Sequence, residues 1–429
     1  MPENIYLINV HSFANAGDAA LTLVTIQQLE KNFPGSRFTL QLDDLESYTE
    51  PYPTTVSLYR WVRGANVGGE PKWNLLNLLW LLPGTLIPVL TYRGFCRPWW
   101  GLTSKALRAT LQAYFDADLI VSKPGGFLYS SGLGLTLWIA VYVMMLAIWA
   151  GKPLYIYPQS VGPLKYGWEQ ALIRWLVRHA RIFMVREAIS CLELEKCGVK
   201  PDQVRLTIDT AFDFQVAGDA GEWFKARGFP LDQTPVMGIT AIQWSAQSKG
   251  FQAQTQYENA IASAARHFIQ TYGGKVILFT QAWGPSESQD DRPAARRIAG
   301  HLTDLTEHLL LLDEPLSPAL LKTLYGRMDV FLGTRMHSNI FALSQEVPVL
   351  AIGYYHKTLG IMKMLNLQDW VIEIGQIEES ALLARFDQLW ANRASLKDLI
   401  SQKVRRLIQE AAQAGIWVAE DYQRWKHAH

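Results

Sequence analysis

Asp329-Val330-Phe331-Leu332-Gly333-Thr334-Arg335-Met336-His337-Ser338 runs an apolar segment straight into a turn that carries an arginine and a histidine. The apolar run reads as a buried parallel strand, and Asn339-Ile340-Phe341-Ala342-Leu343-Ser344 behind it has helical spacing. Arg335 and His337 therefore fall where a strand ends and a helix begins, which is the ligand edge of an open α/β sheet. A helix N-terminus there offers backbone N–H groups and the positive end of a dipole. Arginine adds a two-pronged fork for carboxylate or phosphate, and histidine a proton that exchanges near neutral pH. A second reading stands beside this one: Arg335 pairs with a structural carboxylate and His337 only caps the helix.

Twenty residues on, the pattern returns. Pro348-Val349-Leu350-Ala351-Ile352 is a further apolar run, and Gly353-Tyr354-Tyr355-His356-Lys357 follows it with basic side chains. Loops that follow adjacent parallel strands emerge on one edge, so Lys357 is expected on the same edge as Arg335 and His337.

Strand-like runs continue in both directions. Ile5 to Val10, Arg37 to Leu42, Leu119 to Ser122, Leu154 to Pro158, Ile182 to Val185 and Val204 to Ile208 alternate with helix-length segments. After the polar stretch Gln215 to Gln233 a second series follows: Val236 to Thr240, Val276 to Thr280, Leu309 to Leu312, Val330 to Leu332, Val349 to Ile352 and Val371 to Ile374. The fold class is thus α/β, with two doubly wound Rossmann-like domains at residues 1–214 and 215–375 and a helical C-terminal tail at 376–429. A chain of 429 residues is long enough for two full cores.

Charge is nearly balanced, 40 Lys and Arg against 39 Asp and Glu, and no basic block suits nucleic acid. Cys96, Cys191 and Cys197 have no metal-ligand spacing, and neither do His179, His267 and His301, so no metal and no disulfide framework is expected. Few cysteines and a start, Met1-Pro2-Glu3-Asn4-Ile5, that lacks a basic n-region give a cytoplasmic expectation.

Two apolar stretches invite a membrane reading. Leu133 to Ala150, LGLTLWIAVYVMMLAIWA, carries no charge and is long enough to span a bilayer. Strand-like segments on both sides give it the rhythm of a buried crossover helix instead. Trp73 to Leu90, inside an insertion at about 70–100, is broken by Pro83-Gly84 and Pro88 and is followed by Cys96-Arg97-Pro98-Trp99-Trp100. Apolar turns with Trp and Arg at their edge suit a lipid headgroup boundary, which gives the expectation of a peripheral contact with the inner face of the membrane or with a lipid-linked acceptor. An insertion folded into the core is the other reading.

Strand ends of the first domain carry polar groups too. His11-Ser12-Phe13-Ala14-Asn15-Ala16-Gly17-Asp18 precedes a helix, with Gly17 allowing a tight turn and Asp18 read as N-cap. Lys123-Pro124-Gly125-Gly126 and Gln159-Ser160-Val161-Gly162-Pro163 read as turns. Arg186 is expected to open a helix, where it opposes the dipole unless an anion or Glu187 neutralises it.

In order and spacing, Asn15-x-Gly17-Asp18, Pro124-Gly125-Gly126, Gln159-Ser160-x-Gly162-Pro163, Val185-Arg186-Glu187, Asp209-Thr210-Ala211, Gly333-x-Arg335-x-His337-Ser338 and Lys357 resemble the polysaccharide pyruvyl transferases. The resemblance runs from the first strand to about residue 375. One departure is Pro124, where relatives often have a third glycine. Membership implies a GT-B-like arrangement with the active site in the interdomain cleft, and transfer of a pyruvyl group from phosphoenolpyruvate to a sugar as a cyclic ketal. It implies catalytic roles for Arg186, His337 and Lys357. Donor-binding roles follow for Arg335, Ser338, Gly333, Asn15, Gly17, Asp18, Gly125, Gly126 and Gln159. The partners implied are phosphoenolpyruvate, as donor substrate with no further cofactor, and a saccharide acceptor.

The implied chemistry suits these residue types. Adjacent carboxylate and phosphate need Arg and Lys, and protonating the methylene carbon needs a general acid, for which His337 is the candidate. Two other classes remain open. A GT-B glycosyltransferase with a nucleotide-sugar donor needs an acidic ribose contact, for which Glu314 is the available residue; a saccharide-binding protein without catalysis needs none of the basic triad.

Overall fold

The switch from short runs of buried, mainly apolar residues to a polar turn, repeated along the chain, builds two parallel sheets. The computed structural model describes residues 2–63, 73–132, 134–231, 233–248, 250–354 and 356–428. Residues 70–72 at the start of the expected insertion, Leu133 and Tyr355 lie outside the described residues.

The first sheet holds β1 (Asn4–Val10), β2 (Arg37–Leu42), β3 (Thr54–Val56), β4 (Leu119–Ser122), β5 (Gly125–Leu128), β6 (Leu154–Val161), β7 (Ile182–Val185) and β8 (Arg205–Leu206). Their order is β3-β2-β1-β4-β6-β7-β8, with β5 paired to β6, and all pairs are parallel. The second sheet holds β9 (Val236–Thr240), β10 (Lys275–Phe279), β11 (Leu309–Leu312), β12 (Val330–Gly333), β13 (Val349–Gly353) and β14 (Val371–Glu373), in the order β11-β10-β9-β12-β13-β14. Each order reverses once, between β1 and β4 and between β9 and β12. Such switch points leave a crevice at the carboxyl ends of the strands, and ligands bind there. The α/β class with doubly wound sheets is the one expected from the strand periodicity.

Two compact units result: Met1–Phe13, Leu21–Phe214 and Gln409–His429 in one, Ala14–Ala20 and Gln215–Ile408 in the other. The expected helical tail is one helix, Glu379–Ala428. The absence of proline from this stretch removes the strongest internal stop. Its first part belongs to the second unit, where Phe386 meets Phe268 edge to face. Its end belongs to the first, where Asp421 accepts two hydrogen bonds from Arg181, both 2.9 Å, and one from the Tyr155 hydroxyl at 3.0 Å.

The uncharged segment forms the helix Leu135–Trp149, packed all round: Leu137, Ile139, Val141, Met144 and Leu146 are essentially inaccessible. At about 1.5–3 kcal/mol per such side chain, that burial ties it to the core of the first unit. The proline-bearing insertion differs from expectation. Leu75–Phe95 is a single helix with Pro83 and Pro88 inside it. Pro88 has no N–H for the Gly84 carbonyl, and the Thr103 hydroxyl donates to that carbonyl at 2.9 Å instead. Pro83 strips the partner from the carbonyl of Leu79, which is exposed to water. The lost bonds are therefore replaceable, and the helix continues.

Candidate active site

In the second unit β12 delivers the Gly333-Thr334-Arg335 turn. A Cβ on Gly333 would fall 1.8 Å from Asn339 Oδ1, so only glycine lets the following helix fold back this closely. The Ser338 hydroxyl donates to the Arg335 carbonyl at 2.7 Å and lies 2.8 Å from the Thr240 hydroxyl, while the Tyr257 hydroxyl lies 2.7 Å from that of Thr334. Gly333 and Ser338, expected to touch the donor, thus shape and lock the turn at the β9–β12 switch point.

Arg335 is buried and pairs with Asp291, which is fully buried. Its Nη2 donates to Asp291 Oδ1 at 2.5 Å and to the Gln289 carbonyl at 3.1 Å, and its Nε lies 3.1 Å from both carboxylate oxygens. Burial opposes the guanidinium charge, but Asp291 and then Tyr354 outweigh it and hold the proton on more firmly than usual. A structural carboxylate is therefore the guanidinium's partner.

His337 is not the cap. Arg335 occupies the N-cap position of the helix Met336–Ser344, and His337 sits half-buried in its first turn. Against its ring lies Gly17: a Cβ there would come within 2.3 Å of Nδ1 and 2.6 Å of Cγ. The Asn15-Ala16-Gly17-Asp18 turn is anchored to the loop after β10, where Asn15 bridges Ala282, the Ala16 N–H donates to the Gln281 carbonyl at 3.0 Å and the Trp283 N–H to the Ala14 carbonyl at 2.9 Å. The same loop brings Asp291, whose Oδ2 accepts from the Ala282 N–H at 3.0 Å. The cap of the helix Ala16–Asn32 is Asn15, not Asp18: Asn15 Oδ1 accepts from the Gly17 N–H at 2.9 Å and the Asn15 carbonyl from the Ala19 N–H at 3.0 Å. Asp18 lies in the first turn, where a carboxylate favours the dipole.

Lys357 lies half-buried in the first turn of the helix His356–Met364, after β13. β12 and β13 are parallel neighbours, Gly333 opposite Ala351, so His337 and Lys357 leave the same edge of one sheet. Asn15, Gly17, Asp18, Arg335, His337 and Lys357 all belong to the second unit. We expect Gly17→Ala to push the His337 ring aside, and an ångström-scale displacement of a group engaged in chemistry costs about a hundredfold in turnover. Steady-state kinetics beside a melting curve checks it, and turnover within twofold of the parent would contradict it.

The first unit carries the remaining residues. Arg186 is buried just before the helix Ala188–Lys196, whose N-cap is Glu187. Its Nη1 donates to Asp209 Oδ2 at 2.6 Å and its Nε to the Ser160 hydroxyl at 2.8 Å. It does not open the helix, and its neutralising partner is Asp209 rather than Glu187. Asp209 also takes the Ala211 N–H at 2.9 Å on its other oxygen. The two expected turns are strands instead: Gly125 and Gly126 lie in β5, and β6 continues through Gln159 and Ser160, with Gly125 opposite Gln159. Gln159 Nε2 donates to the Lys123 carbonyl at 2.5 Å, and its buried Oε1 has no hydrogen-bond partner among the described residues.

Sequence patterns did not single out the pair His11 and Asp43, with Nδ1 2.7 Å from Oδ2 at the carboxyl ends of β1 and β2. The Phe127 ring meets His11 edge-on, centroids 5.0 Å apart, and His11 Nε2 is buried with no hydrogen-bond partner among the described residues. The available signal was the doubled carboxylate Asp43-Asp44 directly after a strand. Among the described residues no three His, Cys, Asp or Glu side chains gather to hold a metal.

The arrangement places basic groups and helix N-termini at strand ends, as a dense anion requires. The model of the polysaccharide pyruvyl transferase family matches residues 15–356. Amylovoran biosynthesis protein AmsJ of Erwinia amylovora is 25% identical over 263 residues, which is 61% of this chain and 63% of AmsJ, so the match spans less than two thirds of that relative. Among solved structures, UDP-GlcNAc 2-epimerase from Neisseria meningitidis bound to UDP-GlcNAc is 13% identical, with a TM-score of 0.58 over 98% of this chain and 100% of the other. Sucrose-phosphate synthase from Thermosynechococcus elongatus is 14% identical, with a TM-score of 0.57 and full coverage of both chains. Anabaena HepE in complex with UDP-glucose is 13% identical, with a TM-score of 0.53 over 98% and 100%. At such identities the likeness concerns the fold, which is GT-B-like. The family match covers most of the chain and reaches from the Asn15 turn to the start of the Lys357 helix, and the protein is a member of the polysaccharide pyruvyl transferase family of enzymes.

Proposed function

We propose that this enzyme transfers the pyruvyl group of phosphoenolpyruvate to a saccharide of an exported or cell-surface polysaccharide, or to its precursor, forming a cyclic ketal. The observation that carries the reading is the seating of His337 against Gly17 on the strand edge that also bears Lys357. In the reaction His337 donates a proton to the methylene carbon while an acceptor hydroxyl, losing its own proton, adds to the neighbouring carbon. A second hydroxyl then displaces phosphate from that carbon and closes the ring, its proton leaving with the phosphate as hydrogen phosphate. Lys357, on the same sheet edge, binds the donor's anionic groups. The name of AmsJ, an amylovoran biosynthesis protein, supports polysaccharide assembly as the setting.

Complexes of similarly folded proteins with UDP-sugars favour a second reading, a nucleotide-sugar glycosyltransferase. That reading needs an acidic ribose contact. Glu314, its candidate, is exposed and accepts from Arg227 Nη2 at 2.7 Å. Phosphoenolpyruvate at 100 times its Kd stabilises the state it binds by about 2.7 kcal/mol. Thermal unfolding is expected to shift upward with phosphoenolpyruvate, little with uridine or guanosine diphosphate sugars, and not at all in Lys357→Ala. Stabilisation by a nucleotide sugar alone would replace this reading with the second.

A further inference from the structure

The helix Leu75–Phe95 has two faces of opposite fate. Leu81, Gly84, Thr85, Pro88 and Val89 are buried, with the Thr85 hydroxyl 2.6 Å from that of Tyr142 and the Tyr92 ring stacked on Phe115 at 4.1 Å. On the other side Leu75, Leu79, Leu82 and Leu90 recur at spacings of four, three and eight, which places them in one stripe at 100° per residue. Leu75 is 67% exposed, Leu79 66% and Leu90 59%; exposed Leu76 and Trp80 widen the stripe on one flank, and Phe95 and Trp99 are exposed at the C-terminal end. Side chains of this size are not normally left in water as a contiguous patch.

Charge identifies what covers it. Between Pro71 and Phe115 the sequence contains no Asp or Glu, whereas Arg93, Arg97, Lys105 and Arg108 are all exposed at or beyond the C-terminal end of the helix. An apolar stripe with Trp on its flank and a purely cationic end is the chemistry of an interfacial helix on an anionic bilayer. At 21 residues the helix is long and apolar enough to cross a membrane, the one such helix among the described residues. Crossing would require pulling its buried face out of the core, so the helix lies along the surface.

We propose that the exposed face of Leu75–Phe95 seats the enzyme on an anionic lipid surface, leucines and Trp80 in the acyl boundary and Arg93 and Arg97 among the headgroup phosphates. The proposal is independent of the catalytic reading, because binding is measured without substrate. In flotation assays the purified protein is expected to rise with vesicles of phosphatidylcholine containing about one third phosphatidylglycerol and to stay down with phosphatidylcholine alone. The triple variant Leu75→Ser, Leu79→Ser, Leu90→Ser is expected to lose flotation. Arg93→Glu with Arg97→Glu is expected to weaken binding at least about twentyfold, from about fivefold per cation. Circular dichroism and melting establish that each variant is folded, and if the leucine variant is not, the arginine pair decides. A parent protein that does not float, or that sediments as a dimer dispersed by the leucine substitutions, overturns the proposal and makes this face an interface between copies.

Discussion

Replacing His337 by alanine is expected to lower turnover by roughly two to four powers of ten, the span associated with losing a general acid. The effect should fall equally on kcat and kcat/KM, because the proton delivery proposed for His337 is an interaction made only in the transition state. If the imidazole instead only bound phosphate, KM would rise while kcat changed little. The melting temperature should hardly move, since the side chain is half-buried and the turn beneath it is locked by Ser338, Thr240, Thr334 and Tyr257. Near-parental turnover in a folded His337→Ala protein would remove the residue from the mechanism.

Which parts of this site were legible in the sequence follows from which forces are local. The strand ends at Val10, Leu332 and Ile352 declare themselves because runs of buried apolar residues stop at polar turns. The helix starts after Leu332 and Ile352 follow from the same local pattern. β5 does not declare itself: Gly-Gly-Phe-Leu has no β-branched residue, and only pairing with β6 makes it a strand. The partners of the two arginines are invisible for the same reason, because Asp291 lies 44 positions from Arg335 and Asp209 lies 23 from Arg186. A carboxylate at such separation becomes a partner only when the sheet brings loops together. The cap of the helix Ala16–Asn32 is ambiguous for another reason. Asn15 and Asp18 both suit a cap, and the choice fell to the bridge that Asn15 makes with Ala282.

Arg335→Met is expected to cost about 3–5 kcal/mol of stability, the usual penalty for leaving one member of a buried ion pair alone. Asp291 is fully buried, and what keeps its carboxylate ionised is Arg335 first and the Ala282 N–H after it. Burial outweighs both and leaves that carboxyl above the ordinary range even with the guanidinium in place. Without the guanidinium it rises further, and the sign of the pH dependence follows. A carboxyl whose folded pKa exceeds its unfolded value binds a proton more readily in the folded state, so the variant gains stability as pH falls through the raised folded value and loses it again as pH rises. Urea unfolding of Arg335→Met should therefore show a deficit that shrinks as pH falls, and the parent, whose Asp291 carboxyl is raised less, should show the same trend more weakly. A loss below about 1 kcal/mol, typical of an exposed ion pair, would mean that water reaches Asp291 and that the turn carrying His337 does not depend on the pair.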